Sequence, residues 1–255
     1  MNPQVHVARD FPSLLPELGK GFVAVSKAAV EERGRFLFVL AGGSTPRSFY
    51  SEIARRHRED VDWGRTEVFW GDERCVPPDD PASNYAMAKV ELLAPLSLPA
   101  ERVHRIQGEL GSEEAARRYA EEIRSVTGVG LPVFDLVLLG VGCDGHTASL
   151  FPRSVELREA QRAVVSVANS PDAPHVPRVS LTLPVLRAAQ RVWFLVTGPE
   201  KAHVVGQIFR SMPTGTPELP ASMVHGVVET RWYLDTAAAQ YLDPRPAGGD
   251  VSEHP

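Results

Sequence analysis

The sequence has little cysteine, no long apolar run and no excess of positive charge, and each absence argues against a class of protein. Cys75 and Cys143 are the 2 cysteines among 255 residues, which argues against a disulfide framework and for a reducing compartment. No apolar run approaches the roughly 18 residues that span a bilayer, and no basic, apolar signal segment opens the chain. We therefore expect a cytoplasmic protein without a membrane partner.

The net charge bears on what the chain can bind. A formal charge of -5 argues against a nucleic-acid partner, because such a partner requires a basic footprint on the protein. The same charge repels a phosphate at long range, so a phosphate site would depend on a few cations placed locally. Arg178 and Lys201 are candidates, because both lie near apolar runs that are typical of strands. Their alternative role is solvent-facing charge, which describes most arginines and lysines.

The order of apolar runs and helical patterns predicts the fold class. Strand-like runs alternate with helix-like stretches, which is typical of βαβ units and a mostly parallel sheet. We expect an α/β protein with a Rossmann-like, doubly wound, three-layer sandwich. Residues 1–242 should form a single domain, with room for a small subdomain. Residues 243–255, rich in proline and glycine, should form a mobile C-terminal tail.

Three helices have ends that the sequence marks. The first should stop at Gly34, the second should be capped by Ser83 and end before Pro95, and the third should start at Ser112. We expect the apolar residues on one face of each helix, including Tyr119, to lie in the hydrophobic core.

The segment 134–152 carries the most chemical information. An apolar strand is followed by glycines at 140, 142 and 145, with Asp144 and His146 presented among them. This glycine spacing also occurs in dinucleotide fingerprints, which require a long helix next and an acidic residue about 20 positions on. Pro152 interrupts the chain first, and no such acid follows. We therefore expect His146 to face a ligand at the carboxyl end of a buried strand.

A second glycine loop follows an earlier strand. The apolar run 35–40 leads into Ala-Gly-Gly-Ser-Thr-Pro at 41–46, and apolar residues at helical spacing come next. Ser44 or Thr45 should cap that helix. Free N–H groups and the positive end of a helix dipole would then meet at Gly43-Ser44-Thr45, which favours a phosphate. An ordinary turn between strand and helix is the structural alternative.

A third strand, 67–70, precedes Gly-Asp-Glu-Arg at 71–74. Asp72 and Arg74 in such a loop indicate a site, and a surface turn with a local ion pair is the alternative.

Together the three loops resemble one family. The segments AGGSTP at 41–46, FWGDERCVPPDDPASNYAMAK at 69–89 and LLGVGCDGHTASLFP at 138–152 resemble those of 6-phosphogluconolactonase, the hydrolase of the oxidative pentose phosphate pathway. The resemblance continues at 177–182 and 197–201 and covers most of the chain. It implies hydrolysis of 6-phospho-D-glucono-1,5-lactone to 6-phospho-D-gluconate without a cofactor.

The resemblance also implies roles for residues. It makes His146 the base that activates water, and Asp72 and Arg74 active-site groups. A δ-lactone is reactive enough that a positioned base and water suffice, and histidine as a residue type suits that task near neutral pH. Either Asp144 or Asp72 could orient the histidine, while Arg74 would neutralise developing negative charge.

For the phosphate, we expect the Gly43-Ser44-Thr45 backbone with Arg178 and Lys201 as clamps. We expect a monomer or a weak homo-oligomer.

Two other sugar-phosphate proteins share parts of this resemblance. Glucosamine-6-phosphate deaminase has a similar phosphate loop and Asp-Gly-His segment, but Phe151 stands where its segment has a carboxylate, and Arg74 stands where its pattern has an aromatic residue. A sugar-phosphate-sensing domain of the same fold would need a DNA-reading module, and no basic helix-turn-helix precedes the first strand.

Two chemical alternatives concern the same loop. Cys143 and His146 could form a thiol nucleophile with its base, although cysteine is more often a small buried hydrophobe. Asp144 and His146 could both ligate a metal, but two ligands do not make a catalytic site, and we expect none.

Overall fold

A computed structural model describes residues 3–212 and 214–242. The predicted mobile tail at 243–255 lies outside the described residues. The strands have the following bounds: β1 Gln4–Ala8, β2 Phe36–Leu40, β3 Thr66–Trp70, β4 Asp72–Arg74, β5 Leu136–Leu139, β6 Val164–Val167, β7 Arg178–Leu181, β8 Arg191–Val196 and β9 Glu229–Asp235.

Six of these strands form a parallel sheet in the order β1-β9-β8-β5-β2-β3. The chain moves from β2 outward to β3 and later returns to β5 on the other side of β2. The direction of winding therefore reverses between β2 and β5, which is the switch point where open α/β sheets bind ligands. β2 and β5 are buried along their whole length, as strands covered on both faces should be. The predicted doubly wound α/β class is confirmed.

The helices have the following bounds: α1 Phe11–Arg33, α2 Ser44–Arg56, α3 Asn84–Ala88, a π-helical turn Lys89–Leu93, α4 Ala94–Leu96, α5 Ser112–Thr127, α6 Leu183–Ala188 and α7 Ala202–Ser211. Shorter 3₁₀ turns occur at Trp63–Arg65, Ala100–Arg102, Gly108–Leu110, Val155–Arg158, Pro199–Lys201 and Pro220–Met223. No helix among the described residues is long and apolar enough to cross a membrane.

The predicted helix ends are mostly confirmed. Gly34 closes α1 with a left-handed backbone, and the Ser83 hydroxyl accepts from the N–H of Ala86 at the start of α3. The predicted end before Pro95 is wrong, because the chain stays helical to Leu96. A π-helical turn precedes the proline, and Pro95 lies within α4.

A smaller antiparallel sheet, β4-β7-β6, stands apart from the parallel one. Gly71 makes the last bond to the main sheet by donating to the carbonyl of Leu40, and its own carbonyl accepts from Leu181 of β7. The prediction that 71–74 is a loop is therefore wrong for Asp72–Arg74, which pairs with β7 as a strand. The register places Asp72 opposite Ser180 and Arg74 opposite Arg178.

Candidate active site

A cleft of about 730 Å³ lies at the switch point. Its walls are the segments that follow β2, β5 and β8, and residues of the smaller sheet complete it. The site residues expected from the sequence all line this cleft: Gly43, Ser44, Thr45, Asp72, Arg74, Asp144, His146, Arg178 and Lys201. The loops after β2, β5 and β8 meet because parallel strands end at the same edge of the sheet. Asp72, Arg74 and Arg178 join them from β4 and β7 of the smaller sheet.

His146 and Asp144 form a hydrogen-bonded pair. Nδ1 of His146 lies 2.6 Å from Oδ1 of Asp144, and the same oxygen accepts from the His146 backbone N–H at 3.0 Å. Burial acts to raise the pKa of Asp144, but the hydrogen bond and charge of His146 outweigh it, and the net pKa lies below the ordinary value. An ionised carboxylate can only accept, so Nδ1 carries the proton and Nε2 is left as a base.

The glycines of this segment serve close packing. A side chain at Gly142 would overlap the imidazole of His146, and one at Gly145 would meet Leu219. Gly145 also has a φ of 88°, which glycine adopts at little cost. No long helix follows, since the next helical element is a 3₁₀ turn at Val155–Arg158. The structure thus agrees with the rejection of a dinucleotide fingerprint.

The loop at 41–46 leads into the expected helix but has a different cap. Gly43, with a φ of 105°, is the N-cap of α2, so the prediction that Ser44 or Thr45 caps this helix is wrong. The Thr45 hydroxyl instead bonds that of Thr197 at 2.8 Å, which joins this loop to the segment after β8. Among the described residues, the N–H groups of Ser44 and Thr45 donate to no protein acceptor. These N–H groups and the dipole of α2 can hold an anion.

The adjacent acids Asp72 and Glu73 point to different places, because successive side chains of a strand alternate in direction. Glu73 is buried and accepts from the N–H groups of Arg74, Asn84 and Tyr85 and from the Ser83 hydroxyl. Burial raises the pKa of Glu73, and these N–H donors oppose the shift without cancelling it. Its carboxylate binds the start of α3, so we interpret Glu73 as a structural group.

Asp72 faces the cleft. Its Oδ2 accepts from the Ser149 hydroxyl at 2.6 Å, and Nδ2 of Asn84 donates to its carbonyl at 2.8 Å and to Oδ1 at 3.3 Å. Asn84 also packs so closely on Gly42 that a side chain at 42 would overlap it. Ser149 and Asn84 are contacts that the sequence analysis missed. Both lie inside recognised segments, at 69–89 and 138–152, but the sequence does not indicate their hydrogen-bond partner, which only the fold supplies.

Arg74 and Arg178 lie opposite each other in the smaller sheet. Nη1 of Arg74 donates to the Ala82 carbonyl, and Nη2 of Arg178 donates to the carbonyls of Asp172 and Ala173. The Nε atoms of both arginines are buried without a hydrogen-bond partner among the described residues. Such unused donors next to a cleft point to an anionic ligand.

Arg178 is deeply placed, with 2% of its surface exposed. Desolvation by burial lowers the pKa of this guanidinium; the nearby Arg74 adds to the effect, and Asp72 opposes it. Arg178 remains charged, since arginine stays protonated in proteins. Its guanidinium carbon lies 5.6 Å from the ring centre of Phe151, and the ring of His146 lies 4.7 Å from the same centre. Phe151 thus packs between the histidine and the arginine.

Lys201 reaches the cleft from the segment after β8. Its Nζ lies 3.3 Å from Sγ of Cys143, which is exposed, so the hypothesis of a buried hydrophobic cysteine is wrong here. No hydrogen bond joins Cys143 to His146 among the described residues, and its thiol contacts Lys201 instead. Cys75 is half-buried, and burial with the charge of Glu73 raises the pKa of its thiol to about 11. The described residues contain no group of three or more His, Cys, Asp or Glu that could hold a metal ion.

A second cavity, of about 790 Å³, lies between α5 and the helical segment that begins at α3. His104 lies at its wall, with its two ring nitrogens 2.6 Å from Glu122 and 2.9 Å from Glu67. None of the site residues expected from the sequence lines this cavity. The switch-point cleft is therefore the candidate active site, because the unused donors and the histidine pair lie there.

The fold and the cleft define an α/β protein of the class that binds anionic small molecules at the switch point of its sheet. Residues 10–232 match the family described as glucosamine-6-phosphate isomerases/6-phosphogluconolactonase. The chain belongs to this family.

Individual relatives agree with this assignment. A 6-phosphogluconolactonase of Mycobacterium leprae is 37% identical over 246 residues, which cover 94% of this chain and 98% of the relative. A crystal structure of 6-phosphogluconolactonase from Thermotoga maritima is 32% identical, with a TM-score of 0.80 over 92% of this chain and 100% of that one. A monomeric glucosamine-6-phosphate deaminase, 21% identical with a TM-score of 0.77 over 93% and 99% of the two chains, shares the fold.

Proposed function

We propose that this chain hydrolyses 6-phospho-D-glucono-1,5-lactone to 6-phospho-D-gluconate, the reaction of the lactonases that it resembles along most of its length. The observation that carries this proposal is the pair His146 and Asp144, placed at the switch point beside two arginines with unused donors. A general base next to cationic donors suits the hydrolysis of an anionic ester.

The first step is attack by water. Nε2 of His146 takes a proton from the water as its oxygen adds to the lactone carbonyl carbon, and Asp144 stabilises the imidazolium that forms. The hydrogen bond at Nδ1 also holds the ring in the tautomer that leaves Nε2 free. Asp144, rather than Asp72, therefore supports the base in this proposal, because Asp72 bonds Ser149 and Asn84 instead.

The second step breaks the ring. The negative charge that develops on the carbonyl oxygen is stabilised by Arg74, whose Nε has no protein partner among the described residues. When the intermediate collapses, the bond between the carbonyl carbon and the ring oxygen breaks. The imidazolium of His146 returns its proton to that oxygen, which becomes a hydroxyl group, and the new carboxylic acid ionises. Water and lactone thus give the phosphogluconate with no other reactant.

The phosphate group is held away from the reacting carbon. The N–H groups of Ser44 and Thr45 and the dipole of α2 receive it, with Lys201 and Arg178 as charged clamps. This anchor orients the lactone carbonyl towards His146 by using binding energy from a part of the substrate that does not react.

The deaminase reaction is the less supported alternative. Phe151 packs on His146 where the deaminase segment has a carboxylate, and an apolar ring cannot exchange a proton. We further propose that the enzyme works in the cytoplasm as a monomer or weak homo-oligomer. One chain supplies every residue of the proposed site, and both cysteines are free.

The test is a direct assay. Freshly generated 6-phosphogluconolactone is supplied, and its disappearance is compared with the spontaneous rate in buffer. We expect the purified protein to accelerate it strongly and a His146→Ala preparation to add little, which also controls for contaminating hydrolases. A wild-type protein that leaves the spontaneous rate unchanged, or that releases ammonium from glucosamine 6-phosphate, would overturn the proposal.

A further inference from the structure

We propose that Ser149 is a positioning residue. Its hydroxyl holds the carboxylate of Asp72 in a fixed position relative to His146. This inference rests on the proposed lactonase function. Ser149 belongs to the segment of His146, three positions further along the chain, whereas Asp72 lies on β4 of the smaller sheet. A hydrogen bond between them therefore joins the two parts of the site.

The contact has the geometry of a strong hydrogen bond. The Ser149 hydroxyl lies 2.6 Å from Oδ2 of Asp72, and the serine has 0% of its surface exposed. Hydrogen bonds to an ionised group at this distance are roughly twice as strong as neutral ones. The other donor, Asn84, is 3.3 Å from Oδ1 and has its shorter bond to the Asp72 carbonyl. Ser149 is thus the better donor to the carboxylate itself.

The backbone of the segment is shaped to deliver this serine. Ala148 has a φ of 47°, in the left-handed region that a residue with a side chain rarely adopts. On one side of this bend the Thr147 hydroxyl donates to the Gly140 carbonyl at 2.8 Å. On the other side the N–H of Ser149 donates to the Ser180 hydroxyl at 3.2 Å. A costly bend that is fixed at both ends indicates that the position of Ser149 is tightly determined.

The link to Ser180 strengthens the inference. Ser180 lies on β7, directly opposite Asp72 in the antiparallel register. Ser149 therefore contacts both members of one cross-strand pair. Its hydroxyl donates to the carboxylate of Asp72, and its backbone N–H donates to the hydroxyl of Ser180. Loss of the Ser149 hydroxyl would remove the shorter hydrogen bond to the Asp72 carboxylate and leave the backbone attachment to Ser180 in place.

The experiment is a double-mutant cycle of Ser149→Ala and Asp72→Asn on the full chain. We expect Ser149→Ala to lower kcat about tenfold to a hundredfold, the range for a lost hydrogen bond to a charged group, with little change in KM. In the Asp72→Asn background the same substitution should cost little more, because the partner charge is already gone. Ser166→Ala is the matched control, since its buried hydroxyl on β6 has no hydrogen-bond partner among the described residues.

Other outcomes decide against the proposal. Equal losses of kcat in the wild-type and Asp72→Asn backgrounds would show that Ser149 acts on the fold and not through Asp72. A Ser149→Ala enzyme with normal kcat would show that Ser149 has no positioning role. If the alanine variant fails to fold, Ser149→Cys keeps the volume with a weaker donor and should show a smaller loss in the same cycle. A wild-type protein with no lactonase activity would instead contradict the proposed function, so the two failures are distinguishable.

Discussion

The hydroxyl of Tyr119 binds both polar groups of Trp70: it accepts from the backbone N–H and donates to the carbonyl, each at 2.8 Å. Trp70 is the last residue of β3, which lies at the edge of the parallel sheet, and Tyr119 belongs to α5. The helix thus supplies the hydrogen bonds that a further strand would have made. Tyr50 makes a similar pair of bonds just after β2: its hydroxyl accepts from the N–H of Ala41 and donates to its carbonyl, each at 2.8 Å.

Tyr119→Phe should destabilise the protein. The substitution leaves a buried N–H and a buried carbonyl without partners, which typically costs about 1 to 3 kcal/mol for each group. We expect a lower free energy of unfolding in urea, and a lower kcat because Asp72 and Arg74 lie shortly after Trp70 in the chain. Tyr85→Phe is the control, since its hydroxyl makes no hydrogen bond among the described residues. Unchanged stability of Tyr119→Phe would mean that water replaces the hydroxyl.

Tyr50→Phe should act on a different kinetic constant. Ala41 opens the loop at 41–46, so loosening its peptide should misplace the N–H groups that are proposed to receive the phosphate. We expect a higher KM for the phosphorylated lactone and a smaller effect on unphosphorylated gluconolactone. Steady-state kinetics on both substrates measure this difference, and equal effects on the two would assign Tyr50 to general stability.

His146→Ala should separate chemistry from binding. A positioned general base contributes about 10² to 10⁴ in rate, so kcat should fall by this factor while affinity for 6-phosphogluconate stays nearly intact. Single-substrate kinetics and product-binding calorimetry measure the two properties. An Asp144→Asn enzyme should show a smaller loss of the same kind, because the amide can present a donor to Nδ1 and favour the wrong tautomer. Near-normal kcat in His146→Ala would move the base elsewhere, with Asp72 next.

The phosphate clamps should distinguish substrates. Charge-assisted hydrogen bonds are worth roughly 1.5 to 3 kcal/mol, so Lys201→Ala or Arg178→Ala should lower kcat/KM about tenfold to a hundredfold for the phosphorylated lactone. Hydrolysis of gluconolactone should barely change, because its transition state never used these cations. Arg210→Ala on the exposed end of α7 is a neutral control for the loss of one positive charge. Equal losses on both substrates would place Arg178, which lies opposite Arg74, at the reacting end.

Removal of metal ions should leave activity intact. In the proposed mechanism His146 activates water without a Lewis acid, so a protein treated with chelator for a long period should keep its full rate. Metal analysis of the treated sample provides the check on depletion. Activity that returns only on addition of zinc would contradict the mechanism.

Local sequence predicted where the candidate site lies. Gly43, Asp72 and His146 each follow an apolar run that predicts a buried strand, and parallel strands end at one edge of a sheet. That argument holds without knowledge of the strand order, so the loops could be identified before the fold. The glycine at 142 was recognisable too, although its purpose, space for the His146 ring, was not.

Tertiary structure decided which groups hold these residues in place. Ser149 and Asp72 are 77 positions apart, and Tyr119 and Trp70 are 49 apart. The helical spacing of apolar residues predicted that Tyr119 lies in the hydrophobic core, and its ring is buried there. The spacing could not reveal that its hydroxyl binds the backbone of Trp70. Asp72–Arg74 became a strand because β7 lies beside it. Helical periodicity and helix caps depend on residues that are close together in the chain. A buried polar group, in contrast, forms hydrogen bonds with the groups that packing brings within about 3 Å, and that packing depends on the whole fold.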